Sequence, residues 1–120
     1  MEELPRWRIV ESEPFEAERD AAFLYLLHLS GPDFAGRWLR SLVAQVSQLA
    51  EFPGPRAHPL EEQASARFQA EVRKAIIYAP SGRRSGVRYR LLFSVRDPVG
   101  EEEEGIVYLL RLRHGSRREA

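Results

Sequence analysis

Arginine gathers at the end of this chain. Residues 109–118 read LLRLRHGSRR and hold Arg111, Arg113, Arg117 and Arg118 around His114. Arg88 and Arg90 lie upstream in VRYRLLFSVR, and Arg83 and Arg84 in PSGRRSG. A guanidinium grips an anion through two parallel hydrogen bonds, which an ammonium cannot match. Such a cluster suits recognition of a phosphate backbone or of carboxylates, or stabilisation of charge developing on a phosphorane. His114 is the candidate general acid or base, because its ordinary pKa suits proton transfer near neutrality. The plainer alternative is a structural histidine that closes the end of a sheet.

The composition sharpens the picture. The chain has 120 residues, 18 cations and 18 acids, so its formal net charge is zero. That average hides a polarity. Residues 1–66 carry six Arg and eleven acids, a balance of −5, and residues 67–120 carry twelve cations and seven acids, a balance of +5. The second half is therefore the anion-binding candidate. Lys74 is the single lysine; an arginine-biased genome explains that as well as a phosphate-binding role does. There is no cysteine, which removes disulfides, thiol nucleophiles and thiolate metal sites. His28, His58 and His114 are scattered, and no metal or other cofactor is expected. No run approaches the roughly 18 apolar residues that span a bilayer, and no cleavable leader opens the chain. The expectation is one soluble cytoplasmic domain over residues 1–120.

The elements that must position the arginines can be read from periodicity. Residues 7–12 alternate and read as a first strand. Pro14, Glu16 and Glu18 open a helix that runs to about Leu29. Its apolar residues Phe23, Leu24, Tyr25, Leu26 and Leu27 crowd wider than one face, which predicts cover on two sides, by the core and by a partner. Ser30, Gly31 and Pro32 break the chain, and Asp33 is the expected N-cap of a second helix. Trp38, Leu39, Leu42, Val43, Val46 and Leu49 give that helix its apolar stripe. Residues 53–66, with three prolines, read as a loop. Strands are predicted over 72–79, 88–96 and 106–113, the last two joined by a loop holding the acids 101–104. The result is a β-α-α-β-β-β chain, an α+β fold with a helical hairpin packed on one face of a small, mainly antiparallel sheet.

Alternation then places the arginines. If Tyr89, Leu91, Phe93 and Val95 face the helices, the opposed Ile106, Tyr108, Leu110 and Leu112 should too. Arg88, Arg90, Arg111 and Arg113 fall on the other face, with Arg90 beside Arg111 and Arg88 beside Arg113. Like charges so opposed destabilise a sheet. A bound anionic partner would give them a reason; neutralisation by Glu71 or the acids 101–104 is the alternative. Gly115 allows a sharp turn that brings Arg117 and Arg118 back to the patch.

Three segments, with this element order, resemble the RelE/ParE toxins of type II toxin–antitoxin systems, a group also described as plasmid stabilisation proteins. They are AERD at 17–20 leading through RWL at 37–39 to LAEFP at 49–53, then EVR at 71–73 leading to RYRLLFSV at 88–95, then LRLRHGSR at 110–117. The likeness covers nearly the whole chain. It implies a growth-arresting toxin held by a cognate antitoxin, and no cofactor. Its ParE-like members poison DNA gyrase, and its RelE-like members cleave mRNA on the ribosome. The histidine-glycine-x-arginine ending is the ParE-like feature, and gyrase is the expected target. The ribonuclease alternative assigns catalysis to candidates His114, Arg90 and Arg117, yet the late tyrosine of RelE-like enzymes has no counterpart here. An inactive, binding-only member is the third alternative. The resemblance points to Arg83, Arg84, Arg90 and Arg117, and with Arg88, Arg111, Arg113 and Arg118 from the strand and turn reading these are the expected target contacts. Phe23, Leu24, Leu26 and Leu27 are the expected antitoxin contacts, with antitoxin acids reaching the arginines. A homodimer or a toxin–antitoxin hetero-oligomer is compatible with this.

Overall fold

The computed structural model describes residues 6–79 and 86–115. The chain runs through β1 (Arg6–Glu11), α1 (Glu13–Gln48), a 3-10 turn at Pro55–Ala57, α2 (Glu62–Phe68), β2 (Val72–Ala79), β3 (Val87–Arg96) and β4 (Glu104–His114). The strands form one sheet in the order β1-β4-β3-β2. β1 runs parallel to β4, and the other neighbours are antiparallel. The expected α+β architecture, helix packed on a mainly antiparallel sheet, is what the chain adopts.

Ser12 turns the first strand into the first helix. Its N–H donates to the Leu109 carbonyl, and its hydroxyl donates to the Leu110 carbonyl while accepting from Phe15 N–H. One residue thus closes β1 on β4 and caps α1. Gly31, at φ 88° and ψ 173°, divides α1 into two helical segments. Only glycine enters that backbone region cheaply. Pro32 then opens the second segment, where its missing N–H costs nothing. Asp33 therefore lies inside the first turn rather than capping it, and its carboxylate still favours the positive helix end.

Both segments bury residues on the same sheet face. Phe15, Ala22 and Leu26 of the first, and Phe34, Ala35, Trp38 and Leu42 of the second, pack on Ala75 and Ile77 of β2 and on Tyr89, Leu91, Phe93 and Val95 of β3. The β3 side matches the sequence expectation. The β4 side does not. Its buried residues are Val107, Leu109 and Leu112, not Ile106, Tyr108 and Leu110. A bulge is the cause. Leu92 pairs with Arg111 but Phe93 pairs with Leu109, so Leu110 is an extra residue and the alternation changes phase there.

The loop expected over 53–66 gives way at Glu62 to the seven-residue helix α2. A helix this short has no stability alone. It is held by Ser65, whose hydroxyl accepts from Val72 N–H at 2.9 Å, and by Ala64 packed with Val72, Leu92 and Leu110. Val72 and Leu92 share the face opposite the main core, so α2 covers part of the far side of the sheet. Elsewhere on that face Ile76 and Tyr78 stay about half exposed.

Candidate target-binding face

Register builds the open face row by row. Tyr78 of β2 stands opposite Arg88 of β3. Ile76 stands opposite Arg90, and Arg90 opposite Arg113 of β4. Lys74 stands opposite Leu92, and Leu92 opposite Arg111. The four strand arginines do share a face, as alternation predicts. Their pairing is corrected: Arg90 opposes Arg113, not Arg111, because the bulge at Leu110 moves the register of the terminal strand.

Arg111 has an intramolecular partner that sequence reasoning did not name. Its Nε and Nη2 donate to the two Glu18 oxygens at 2.9 and 3.0 Å. The same carboxylate accepts from Leu112 N–H at 2.9 Å and lies 3.7 Å from Arg113 Nε. β1 ends at Glu11, so among the described residues no strand lies beside the edge of β4 beyond Leu109; Glu18, from the first turns of α1, takes that place. Burial pushes the Glu18 carboxyl up, but the bonds from Arg111 and Leu112 and the charges of Arg111 and Arg113 outweigh it, and the net pKa lies below the ordinary value.

Glu71 and Glu102, two of the expected neutralisers, pair with other arginines. Arg56 bonds both Glu71 and Asp97 and lies over the Trp7 ring. Arg73 also bonds Glu71. Hydrogen bonds from Arg56 are the main reason both carboxyls sit below their ordinary pKa. Glu102, in the acidic loop, pairs with Arg96 at 3.4 Å.

His114 lies on the helix-facing side. It stands opposite Tyr89, with ring centroids 5.3 Å apart edge to face, and Tyr89 in turn meets Trp38 at 5.1 Å. This ring contact places it at the end of the sheet on the core side. Gly115 N–H donates to the Arg88 carbonyl at 2.7 Å, and a Cβ there would come within 2.9 Å of that oxygen, so only glycine fits. Arg83, Arg84, Arg117 and Arg118 lie outside the described residues.

On the opposite side of the molecule α1 presents an apolar band. Leu24, Tyr25 and Leu29 are 62%, 58% and 64% exposed. Leu26, expected in a partner contact, is instead buried in the core, while Phe23 and Leu27 are half-buried against it. The crowded apolar run hid which residues point inward; the offsets of three and four residues from Phe23 to Leu26 and Leu27 are the helical repeat that sorts them.

Among the described residues no three His, Asp or Glu side chains converge, and no helix is long and apolar enough to cross a membrane. Residues 9–119 match the protein family described as "ParE toxin of type II toxin-antitoxin system, parDE". No curated protein matches the chain.

Proposed function

The chain belongs to the ParE toxin family of type II toxin–antitoxin systems, and from that membership we propose that it arrests growth by binding DNA gyrase through the arginine end of its far face, without catalysis of its own. The gyrase target makes it a cytoplasmic poison. A cognate antitoxin neutralises it by seating on the exposed α1 band of Leu24, Tyr25 and Leu29, and extends acids to the arginines.

The observation that carries the binding reading is the separation of His114 from the arginines. Proton transfer on a phosphate held by Arg90 and Arg113 needs the acid or base within hydrogen-bond reach of that phosphate. His114 instead packs on Tyr89, on the core side of the sheet. Arginines bind anions and orient them through charge-assisted hydrogen bonds, and that is the role this reading gives them.

The test is induced expression with and without the antitoxin, together with supercoiling by purified gyrase and mRNA integrity in a translating extract. The expected result is growth arrest relieved by antitoxin, loss of gyrase supercoiling and intact mRNA. Cleaved mRNA, with supercoiling untouched, replaces this reading with the ribosome-dependent ribonuclease. Normal growth at high expression replaces it with an inactive, binding-only member.

A further inference from the structure

The open face is not uniformly cationic. Ile76 and Tyr78, on β2, are 50% and 41% exposed, while their strand neighbours Ala75, Ile77 and Ala79 are buried. β2 thus places one set of side chains in the core and leaves two large apolar ones on the far face. Ile76 stands beside Arg90 and then Arg113; Tyr78 stands beside Arg88. The rows set an apolar edge on β2 beside cationic groups on β3 and β4, a patch about 10 Å across three strands.

Tyr78 is held in place from several sides. Its carbonyl accepts from the Ser41 hydroxyl at 2.8 Å and from Gln45 Nε2 at 3.0 Å, and its N–H donates to Gln45 Oε1 at 3.3 Å. Its ring lies over Gly86, where a Cβ would meet ring carbon Cε2 at 2.5 Å. The Arg88 guanidinium stands over the same ring, 5.7 Å from its centroid. Little ordering entropy remains to be lost at this residue on binding. The hydrogen bonds from α1 also occupy the outer edge of β2 at Tyr78, so a partner meets side chains there rather than adding a strand.

These features discriminate between ligand classes. A nucleic-acid backbone gains from the arginines but nothing from covering Ile76, and base stacking on Tyr78 competes with the Arg88 already over its ring. A protein segment with carboxylates beside apolar side chains satisfies both kinds of group. Aromatic and arginine side chains flanked by aliphatic surface are the usual composition of protein–protein hot spots. We propose that this face takes an acidic, partly apolar segment of the protein target, with Ile76 and Tyr78 as apolar anchors beside Arg88, Arg90 and Arg113. The inference rests on the gyrase reading and adds the chemistry of the surface that gyrase must present.

The experiment measures binding of the full chain to purified gyrase, with a single-stranded RNA oligonucleotide and a DNA duplex as competitors. Ile76→Ser, Tyr78→Ser and the pair Arg88→Gln with Arg113→Gln are compared, each first shown to melt cooperatively. The expected result is that Ile76→Ser and Tyr78→Ser each weaken gyrase binding about fivefold or more, the arginine pair weakens it further, and neither nucleic acid competes at physiological salt. If the arginine pair loses binding while both serine variants bind as the parent does, the arginine site stands and the apolar anchors are overturned. If RNA or DNA displaces gyrase, the protein-segment claim is overturned in favour of a nucleic-acid ligand. If gyrase does not bind the parent chain, the functional reading itself fails, and the anchors fail with it.

Discussion

Glu18 is the residue on which the terminal strand depends. It joins a backbone N–H and two guanidinium groups at an edge that β1 leaves bare. The arginine face could be read from alternation; this partner could not, because it depends on β1 stopping at Glu11 and on helix α1, capped beside Leu109 and Leu110, bringing Glu18 to Leu112. Hydrogen bonds to charged groups contribute roughly 1.5–3 kcal/mol. Glu18→Gln keeps an acceptor for Leu112 N–H but loses the charge facing Arg111 and Arg113. It is expected to lower unfolding free energy at neutral pH by about 1–3 kcal/mol in urea titration. The pH dependence has a definite sign. The folded pKa lies below the ordinary 4.5, so the stabilisation is fully present above that value and fades as pH falls through the lower folded pKa. The gap between parent and Glu18→Gln should therefore narrow in acid. A gap that is unchanged in acid means that charge at this position is not what stabilises the strand.

At the scale of elements, glycine and the bulge decide the geometry. Gly31 was legible as a break from its place between Ser30 and Pro32, but not as one residue dividing a continuous helical stretch. A Cβ at Gly31 would meet nothing within 4 Å. Its substitution cost is therefore all backbone, and Gly31→Ala is expected to destabilise by about 1–3 kcal/mol. Gly36 makes the contrast. It lies inside the second segment, where an added Cβ would sit 3.4 Å from the end of the flexible Arg40 side chain. Gly36→Ala should stabilise by about 0.5–1 kcal/mol, since alanine is the better helix former. Thermal melts of the two variants are expected to move in opposite directions, and a common direction refutes the division of α1 at Gly31. The bulge at Leu110 was illegible for a different reason. A strict two-residue alternation is the only signal a strand sequence carries, and RLR after LL satisfies it in either phase. Only the pairing of β4 with both β1 and β3 selects Val107 and Leu109 for the core.

At the scale of the molecule, two exposed surfaces stand on opposite sides of the sheet. Leu24, Tyr25 and Leu29 line the outside of the α1 layer, and Arg88, Arg90, Arg113, Ile76 and Tyr78 lie beyond the far face. The sheet and its core separate them, so a substitution on one should leave the other intact. An antitoxin that reaches both must wrap around the edge of the sheet. It should then draw most of its affinity from the apolar band and a salt-dependent part from the arginines, because exposed charges are screened within about 10 Å at moderate ionic strength. The prediction is a double dissociation. Tyr25→Glu places a charge in the centre of the band and is expected to weaken antitoxin binding by about thirtyfold, the scale of a lost hot spot, while growth arrest in the absence of antitoxin persists. Arg88→Gln with Arg113→Gln is expected to abolish growth arrest while the antitoxin still binds, with a shallower dependence on salt. Calorimetric titration of antitoxin at two salt concentrations, beside plating efficiency on induction, reads both. If Tyr25→Glu leaves antitoxin affinity unchanged, the α1 band is not the seat. If it abolishes toxicity without unfolding the chain, the two surfaces are one.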